Sequence, residues 1–190
     1  LATINMVVFS GAAGAKRIYD VIDQPIKISN NQNLPELKTS SCNIKFSNVS
    51  FEYENSNEKN IKDINLDIKG GTITAFVGHS GAGKSTIINL LPRFYDPQSG
   101  EIFIDQQNTK SVNLNSLRKS ISLVSQDVIL FDSSVKENIL YANKDASEEE
   151  FINSCKFAAA EEFIQDLPQK HNTLIGENGM RLSGGQKQRL

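Results

Sequence analysis

The sequence predicts an α/β fold in which an antiparallel set of strands precedes a mixed α/β core and a helical stretch. Three observations predict this order. Alternating apolar residues occupy 44–53 and 64–68, as in half-buried strands. A β-branched apolar segment, 72–77, runs directly into a glycine-rich loop and indicates a buried strand. Two later segments, each acidic at first and then apolar, are typical of helices.

The composition is that of an ordinary globular protein, with 38% hydrophobic residues, 22% charged residues and a formal net charge of −2. A chain of 190 residues is long enough to bury a core. Because no block of basic residues is present, charge gives no support for a nucleic-acid partner. The positions of Cys42, Cys155, His79 and His171 match no disulfide framework and no zinc motif, so reduced thiols in a cytosolic setting are expected.

The first 23 residues form a predicted helix that Pro25 stops. Its apolar part, 1–15, is shorter than a membrane span and lacks the basic leader of a signal peptide. Two interpretations stay open: a buried helix, or the end of a longer span with Lys16 and Arg17 on the cytoplasmic side. Residues 24–43 hold two prolines and many polar residues, which predicts a linker.

The elements after the linker follow from periodicity and from breaking residues. The predicted faces of the first two strands carry Ile44, Phe46, Asn48 and Ser50, and then Ile64, Leu66 and Ile68. After the glycine-rich loop, a helix over 84–94 is perturbed by Pro92. Further strands are predicted at 101–105 and 121–125, and helices at 134–141 and 147–165. Ser147 and the three glutamates after it favour the start of the last helix.

The segment GHSGAGKST, residues 78–86, fits the phosphate-loop pattern GxxxxGK[ST] between a predicted strand and a predicted helix. Its glycines let the backbone bend so that N–H groups point at phosphates. Lys84 supplies positive charge to the β- and γ-phosphates, and the Ser85 hydroxyl suits Mg²⁺. The predicted nucleotide-binding residues of this loop are Gly78, Ser80, Gly81, Ala82, Gly83, Lys84, Ser85 and Thr86.

A second motif, LSGGQ at 182–186, predicts another anion site. Ser183 is suited to cap the helix that follows it. Its hydroxyl, the N–H groups of Gly184 and Gly185 and the helix dipole together favour an anion. Gln186 completes the motif.

With both motifs present, residues 44–190 resemble the nucleotide-binding domain of an ABC transporter of the half-size exporter type. The resemblance implies an ABC-type P-loop NTPase fold with an antiparallel β-subdomain, a RecA-like parallel-sheet core and a helical subdomain over about 127–181. Residues 1–23 resemble the end of the last membrane helix of such exporters, and 24–43 their linker.

The resemblance also implies roles for single residues. In VSFEY, residues 49–53, Tyr53 corresponds to the aromatic residue that stacks on adenine. In SLVSQD, residues 122–127, Gln126 corresponds to the residue that reaches Mg²⁺ and the attacking water, so Gln126 and Lys84 are the implied catalytic residues. GENG, 176–179, resembles the loop that touches the coupling helices of the membrane domain.

The implied ligands are ATP and Mg²⁺, with Ser85 and Gln126 on the metal. The implied partners are a second copy or a paralogue, bound head-to-tail so that 183–186 close over the partner's ATP, and the membrane domain. Such a domain lies at the cytoplasmic face of the cell membrane, as part of an integral membrane protein, and its ATP hydrolysis drives export.

Two further expectations concern the family pattern. ABC proteins carry an apolar strand ending in Asp-Glu after the signature helix and a later switch histidine; neither precedes Leu190. The 190 residues alone are therefore expected to be inactive, and unstable or aggregating, because a central strand is missing. Gln106 stands where the family usually has a turn glycine, which is expected to strain that turn, whereas His79 occupies a free position of the phosphate loop.

Three other interpretations remain. A non-hydrolysing remnant of such a transporter shares the family without the activity. A soluble ABC ATPase is disfavoured by the short spacing between Gly83 and Leu182, which leaves no room for a coiled-coil insertion. A P-loop kinase or GTPase would not carry LSGGQ.

Overall fold

A computed structural model describes residues 2–54 and 61–190, apart from the side chains of residues 2–5, 7 and 8. The described chain divides into two compact units, Leu1–Ser122 (unit 1) and Leu123–Leu190 (unit 2). Residue 1 of the predicted first helix lies outside the described residues.

Unit 1 begins with helix α1 (Ala2–Ile22), whose described side chains are exposed. The helix ends before Pro25, as predicted, but the interpretation of α1 as a buried helix is wrong for these side chains. Met6 and Phe9 are 74% and 73% exposed, since none of the described elements covers them. Among the residues that the structure describes, no helix is both long enough and apolar enough to span a membrane.

One antiparallel sheet of four strands, in the order β2-β1-β3-β4, forms the centre of unit 1. The strands are β1 (Ile44–Phe51), β2 (Ile61–Ile68), β3 (Ser99–Ile104) and β4 (Gln107–Asn108). β1 is the central strand and pairs with β2 over Ile44↔Ile68 and with β3 over Ile44↔Ile104. This sheet confirms the antiparallel strand set that the sequence predicts.

The predicted inner face of β1 is interrupted at Asn48, whereas Phe46 and Ser50 of that face are buried. Asn48 has a φ of 48°, and the register with β2 shifts between Phe46 and Val49. Such a bulge inserts a residue and reverses which side chains face the core. Val49 and Phe51 are therefore buried, whereas Asn48 is exposed. In β2 the predicted face is confirmed, because Ile64, Leu66 and Ile68 are all half-buried.

The helices of unit 1 are α2 (Lys84–Leu90) and α3 (Leu114–Lys119), with a 3₁₀ turn at Thr109–Ser111. α2 ends before Pro92, so it is shorter than the predicted span 84–94. The apolar residues of α2 pack on the sheet in a cluster of Phe46, Val49, Phe51, Ile61, Leu90 and Ile102. A second cluster joins Leu37, Ile104, Val112, Leu114 and Leu117.

Two predicted strands, 72–77 and 121–125, are not formed. Both segments are without regular structure, and Ile73, Val77 and Val124 are 102%, 90% and 72% exposed. A strand needs a hydrogen-bonded neighbour, and a parallel pair needs a crossover connection. The described residues contain only the antiparallel sheet, so neither segment has a partner. The predicted RecA-like parallel core is therefore absent from the described part.

Unit 2 consists of short helices around one core. They are α4 (Val135–Leu140), α5 (Glu148–Phe157), α6 (Glu161–Gln165) and α7 (Gly184–Arg189), with 3₁₀ turns at Lys170–Asn172 and Glu177–Gly179. The core includes Leu130, Val135, Phe151, Cys155, Ala160, Ile164, Ile175 and Leu182.

The predicted single helix 147–165 is two helices, α5 and α6. Ala159 has a φ of 52°, which an α-helix does not allow, and the Ala160 N–H donates to the Cys155 carbonyl at 2.8 Å. The break turns the chain so that Ala160 and Ile164 are fully buried. The predicted start of α5 is confirmed: the Ser147 hydroxyl accepts a hydrogen bond from the Glu150 N–H, and the Glu150 carboxylate accepts one from the Ser147 N–H.

Candidate functional site: phosphate loop, aromatic cluster and signature helix

The phosphate loop leads from the extended segment 73–78 into α2. Gly81 and Gly83 have φ angles of 81° and 85°, a region that residues with a side chain rarely adopt. Gly83 is the N-cap of α2, and its left-handed backbone aims the first turn of the helix at the loop. The exposed backbone N–H groups of such a turn favour phosphate binding.

Lys84 lies folded back over this loop. Its Nζ donates to the carbonyl oxygens of Gly78 at 2.9 Å and of His79 at 2.7 Å. The ammonium group, with three donors, is therefore held beside the loop that the sequence predicts to bind phosphate. Ser80, Ala82 and Ser85 are exposed around it.

Thr86 has a different environment from the rest of the motif. It is only 7% exposed, and its Oγ1 accepts a hydrogen bond from the Tyr53 hydroxyl at 3.4 Å. Two residues that the sequence predicts to bind nucleotide, Tyr53 and Thr86, are thus brought together within unit 1. The buried threonine anchors α2 against the aromatic residue that follows β1.

Tyr53 belongs to an aromatic cluster with Phe51 and Tyr95. Its ring meets Phe51 edge-on at 4.8 Å and Tyr95 edge-on at 5.0 Å between ring centroids. An open groove of about 660 Å³ lies along this cluster. It is lined by Ile26, Lys27, Ile28, Phe51, Glu52, Tyr53, Glu54, Phe94, Tyr95, Asp96, Gln98 and Arg118.

The sequence motifs do not point to Phe94, Tyr95 and Arg118. The Arg118 guanidinium lies 5.5 Å from the centroid of the Phe94 ring, a distance at which a cation and a ring attract. Arg118 also donates to the carbonyl oxygens of Pro92 and Arg93. The adjacent aromatics Phe94 and Tyr95 were a local signal, but only the fold places them beside Tyr53.

In unit 2, the LSGGQ segment forms the predicted helix start. Ser183 is the N-cap of α7: its Oγ accepts from the Gln186 N–H at 3.3 Å, and Gln186 Oε1 accepts from the Ser183 N–H at 2.8 Å. This reciprocal capping box confirms the predicted cap. Leu182 is buried in the core, whereas Ser183, Gly184 and Gly185 are exposed.

The loop before this motif is fixed to α7. Gly176 and Asn178 have φ angles of 75° and 50°, and Gly179 is buried against Leu130. Lys187 Nζ donates to the Asn178 carbonyl at 2.7 Å. The 176–179 loop and the signature helix therefore form one local structure in unit 2.

Gln126 is exposed in the segment without regular structure at the start of unit 2. Its neighbours form a local turn, in which Ser125 Oγ donates to the Asp127 carbonyl at 2.6 Å. Because the preceding strand is not formed, the structure gives no support to the strand-to-loop placement predicted for Gln126. Its role at Mg²⁺ stays a prediction.

Comparisons with known proteins agree with these motifs. The family model described as "ABC transporter" matches residues 61–190. The chain is 47% identical over 173 residues to a protein of Staphylococcus aureus named "Putative multidrug export ATP-binding/permease protein"; the match covers 91% of the chain and 30% of that protein. It is 43% identical to ABC transporter B family member 2 of Dictyostelium discoideum, over 100% of the chain and 14% of that protein.

A solved structure supports the same conclusion about the fold. The chain superposes on a bacterial Atm1-family ABC exporter with ATP bound, with a TM-score of 0.86 and 38% identity over 96% of the chain and 32% of the exporter chain. The chain thus spans less than a third of the length of these relatives. It has the fold of an ABC-type P-loop NTPase, and it belongs to the ABC transporter family.

Proposed function

We propose that this chain is part of the ATP-binding module of a half-size exporter, and that ATP hydrolysis by the full-length protein drives export of a substrate across a membrane. The observation that carries the proposal is the phosphate loop, with Gly83 in the left-handed region at the start of α2 and Lys84 held against the loop. The similarity to exporters over at least 91% of the chain supports it.

In this proposal one nucleotide is bound mainly by unit 1. Tyr53 presents a ring face to adenine, backbone N–H groups of 78–86 bind the phosphates, and Lys84 neutralises the β- and γ-phosphates. Ser85 and Gln126 complete the coordination of Mg²⁺, an ion that prefers oxygen ligands and bound water. The exposure of Ser85 in the first turn of α2 supports its part.

The signature helix acts on a second nucleotide. We propose that Ser183, Gly184, Gly185 and Gln186 close over the γ-phosphate of ATP bound to a second copy or paralogue, so that two domains enclose two ATP molecules head-to-tail. The exposure of Ser183, Gly184 and Gly185 at the start of α7 supports this, because those groups are accessible to a partner. The positive end of the helix dipole favours the phosphate charge.

Coupling to the membrane domain belongs to the helical part. We propose that 127–181, including the 176–179 loop, contacts coupling helices at the cytoplasmic face of the cell membrane. Closure on ATP then moves these helices, and hydrolysis resets them. The attachment of the loop to α7 through Lys187 supports this, because it links the membrane contact to the nucleotide contact.

In the family pattern, ATP turnover depends on an Asp-Glu pair and a switch histidine. The 190 residues contain no Asp-Glu pair, which the family uses to support Mg²⁺ and to polarise the attacking water. We therefore propose that residues 1–190 by themselves do not sustain ATP hydrolysis. Hydrolysis above background by that polypeptide would contradict this proposal.

The test of the proposed function is Lys84→Ala in the full-length protein. Removing one preorganised charge-stabilising group costs about 10²–10³ in rate. We expect ATP hydrolysis in membrane vesicles to fall by at least about a hundredfold and ATP-driven transport to be lost.

The matched control is Lys62→Ala, which removes an exposed lysine of β2 from the same unit. It is expected to retain hydrolysis. Unchanged hydrolysis and transport in Lys84→Ala would show that the phosphate loop does not power this protein.

A further inference from the structure

Three potential metal ligands from separate elements of unit 2 meet at one place. Cys155 lies near the end of α5, Glu161 is the first residue of α6, and His171 lies in the 3₁₀ turn Lys170–Asn172. Their ligand atoms all lie within 4.8 Å of one another, and His171 Nε2 is 3.1 Å from Glu161 Oε2. The turn at Ala158–Ala160, which splits the predicted helix, is what places Glu161 beside Cys155.

The thiol is the buried member of the cluster. Cys155 is 2% exposed, and its thiol is not part of a disulfide. The side chains of His171 and Glu161 are 18% and 22% exposed, which leaves an open edge for water. Burial raises the pKa of the Cys155 thiol, and the His171 hydrogen bond lowers the pKa of the Glu161 carboxyl.

Neighbouring side chains orient two of the three groups. Gln165 Nε2 donates to Glu161 Oε1 at 2.6 Å, which turns the other carboxylate oxygen towards His171. The His171 ring packs edge-on against Phe151, with 5.1 Å between centroids. Hydrogen bonds and packing contacts of this kind, made to the ligating side chains, fix ligand orientation in metal sites.

The donor set matches zinc. Zn²⁺ is bound tetrahedrally by thiolate, imidazole and carboxylate, and its bond lengths place ligand atoms roughly 3.3–3.7 Å apart. The three ligand atoms are at most 4.8 Å apart, so the side chains need to move by about an ångström to reach that geometry. The thiol releases its proton to water when the ion binds, and the resulting thiolate and the carboxylate balance the charge of the ion.

We propose that Cys155, Glu161 and His171 bind one Zn²⁺ ion, with water as the fourth ligand at the open edge. The ion connects α5, α6 and the Lys170–Asn172 turn, and so holds together the part of unit 2 that precedes the signature helix. The site is independent of nucleotide binding, because it shares no residue with the phosphate loop or with LSGGQ. The spacing of these residues in the sequence does not predict it.

The test is titration of the full-length protein with Co²⁺, a spectroscopic substitute for Zn²⁺. The protein is first freed of metal and of nucleotide, because triphosphates chelate divalent cations. We expect one Co²⁺ per chain, a thiolate-to-cobalt charge-transfer band, the intense visible bands of tetrahedral cobalt, and loss of all bands when Zn²⁺ is added. The absence of a charge-transfer band with Co²⁺ in excess would overturn the proposal.

Variants identify the ligands. Cys155→Ala is expected to abolish the charge-transfer band, and Cys42→Ser, which changes the other cysteine, is expected to keep it. Glu161→Gln preserves side-chain shape and therefore folding, and it should weaken Zn²⁺ binding by at least about tenfold, since even outer contacts contribute about 10–100-fold. A band that survives Cys155→Ala, or Zn²⁺ affinity unchanged in Glu161→Gln, would contradict the assignment.

Discussion

Asp105 connects the segment before the sheet to the sheet itself. Its Oδ2 accepts hydrogen bonds from the backbone N–H groups of Ser40, Ser41 and Cys42, and its Oδ1 accepts one from Asn43. These donors, Ser40 and Asn43 foremost, lower the pKa of the Asp105 carboxyl to about 2. The predicted linker 24–43 is therefore attached to unit 1 at its end.

At the residue scale, we predict that Asp105→Asn loosens this attachment. Asn tolerates the positive φ of 46° at this position, but it loses one acceptor oxygen and places an NH₂ group among donors. Hydrogen exchange of the 38–44 peptide in the full-length protein should become faster at neutral pH. Asp67→Asn, an exposed control on β2, should leave the exchange unchanged.

The same contact has a defined pH dependence. The folded-state pKa is below the ordinary value of 3.8, so its contribution to stability is present above 3.8 and is lost as pH falls towards about 2. Protection of the 38–44 amides from hydrogen exchange, corrected for intrinsic exchange, should decline over that pH range. The difference in protection between the unmodified protein and Asp105→Asn should vanish over the same range. Protection that is constant down to pH 2 would show that the carboxylate does not hold this segment.

At the element scale, the β3–β4 hairpin carries a strained turn. Asp105 and Gln106, its two central residues, have φ angles of 46° and 65°, as in a type I′ turn. Type I′ turns favour Asp-Gly, and the lack of a glycine at Gln106 predicts strain in this turn. The structure confirms the positive φ that produces this strain.

We predict that Gln106→Gly stabilises the hairpin. Relief of the left-handed conformation is worth about 1–2 kcal/mol, and the added freedom of glycine in the unfolded chain costs about 0.5–1 kcal/mol. The net gain is roughly 0.5 kcal/mol, measured as a higher thermal midpoint of the full-length protein. Gln106→Ala keeps a Cβ and should give no gain; an equal gain in both variants would show that the glutamine side chain, not the backbone, is unfavourable.

At the scale of the whole molecule, each unit has its own core, and the segments predicted as parallel strands are exposed. Ile73 and Val77 present apolar side chains and backbone groups that no described strand pairs. Unpaired apolar strands are sites of aggregation. This agrees with the expectation that the 190 residues alone are unstable or aggregating.

We therefore predict that the 190-residue polypeptide, expressed alone, associates into large species. Light scattering after size exclusion should detect them, and Ile73→Lys should reduce their amount because a charge opposes strand pairing. Ile26→Lys, at another exposed isoleucine outside the strand segments, should have a smaller effect. A monodisperse wild-type polypeptide with a cooperative thermal transition would contradict the prediction.

Features that depend on local chemistry could be predicted from the residues alone. The Ser183 cap, the Ser147 helix start and the face of β2 follow from residue types within a few positions of one another. The family follows from two such motifs, and it was confirmed. These predictions succeeded because backbone conformation and capping are decided by near neighbours.

Features that depend on distant partners could not be predicted, because they follow from how the chain packs. The bulge at Asn48 changed which residues of β1 are buried, and the turn at Ala159 divided one predicted helix into two. Segment 72–77 has the composition of a buried strand, yet it is exposed, because burial requires a neighbour that composition does not supply. The meeting of Cys155, Glu161 and His171 likewise depends on how three elements pack, since no spacing rule connects them.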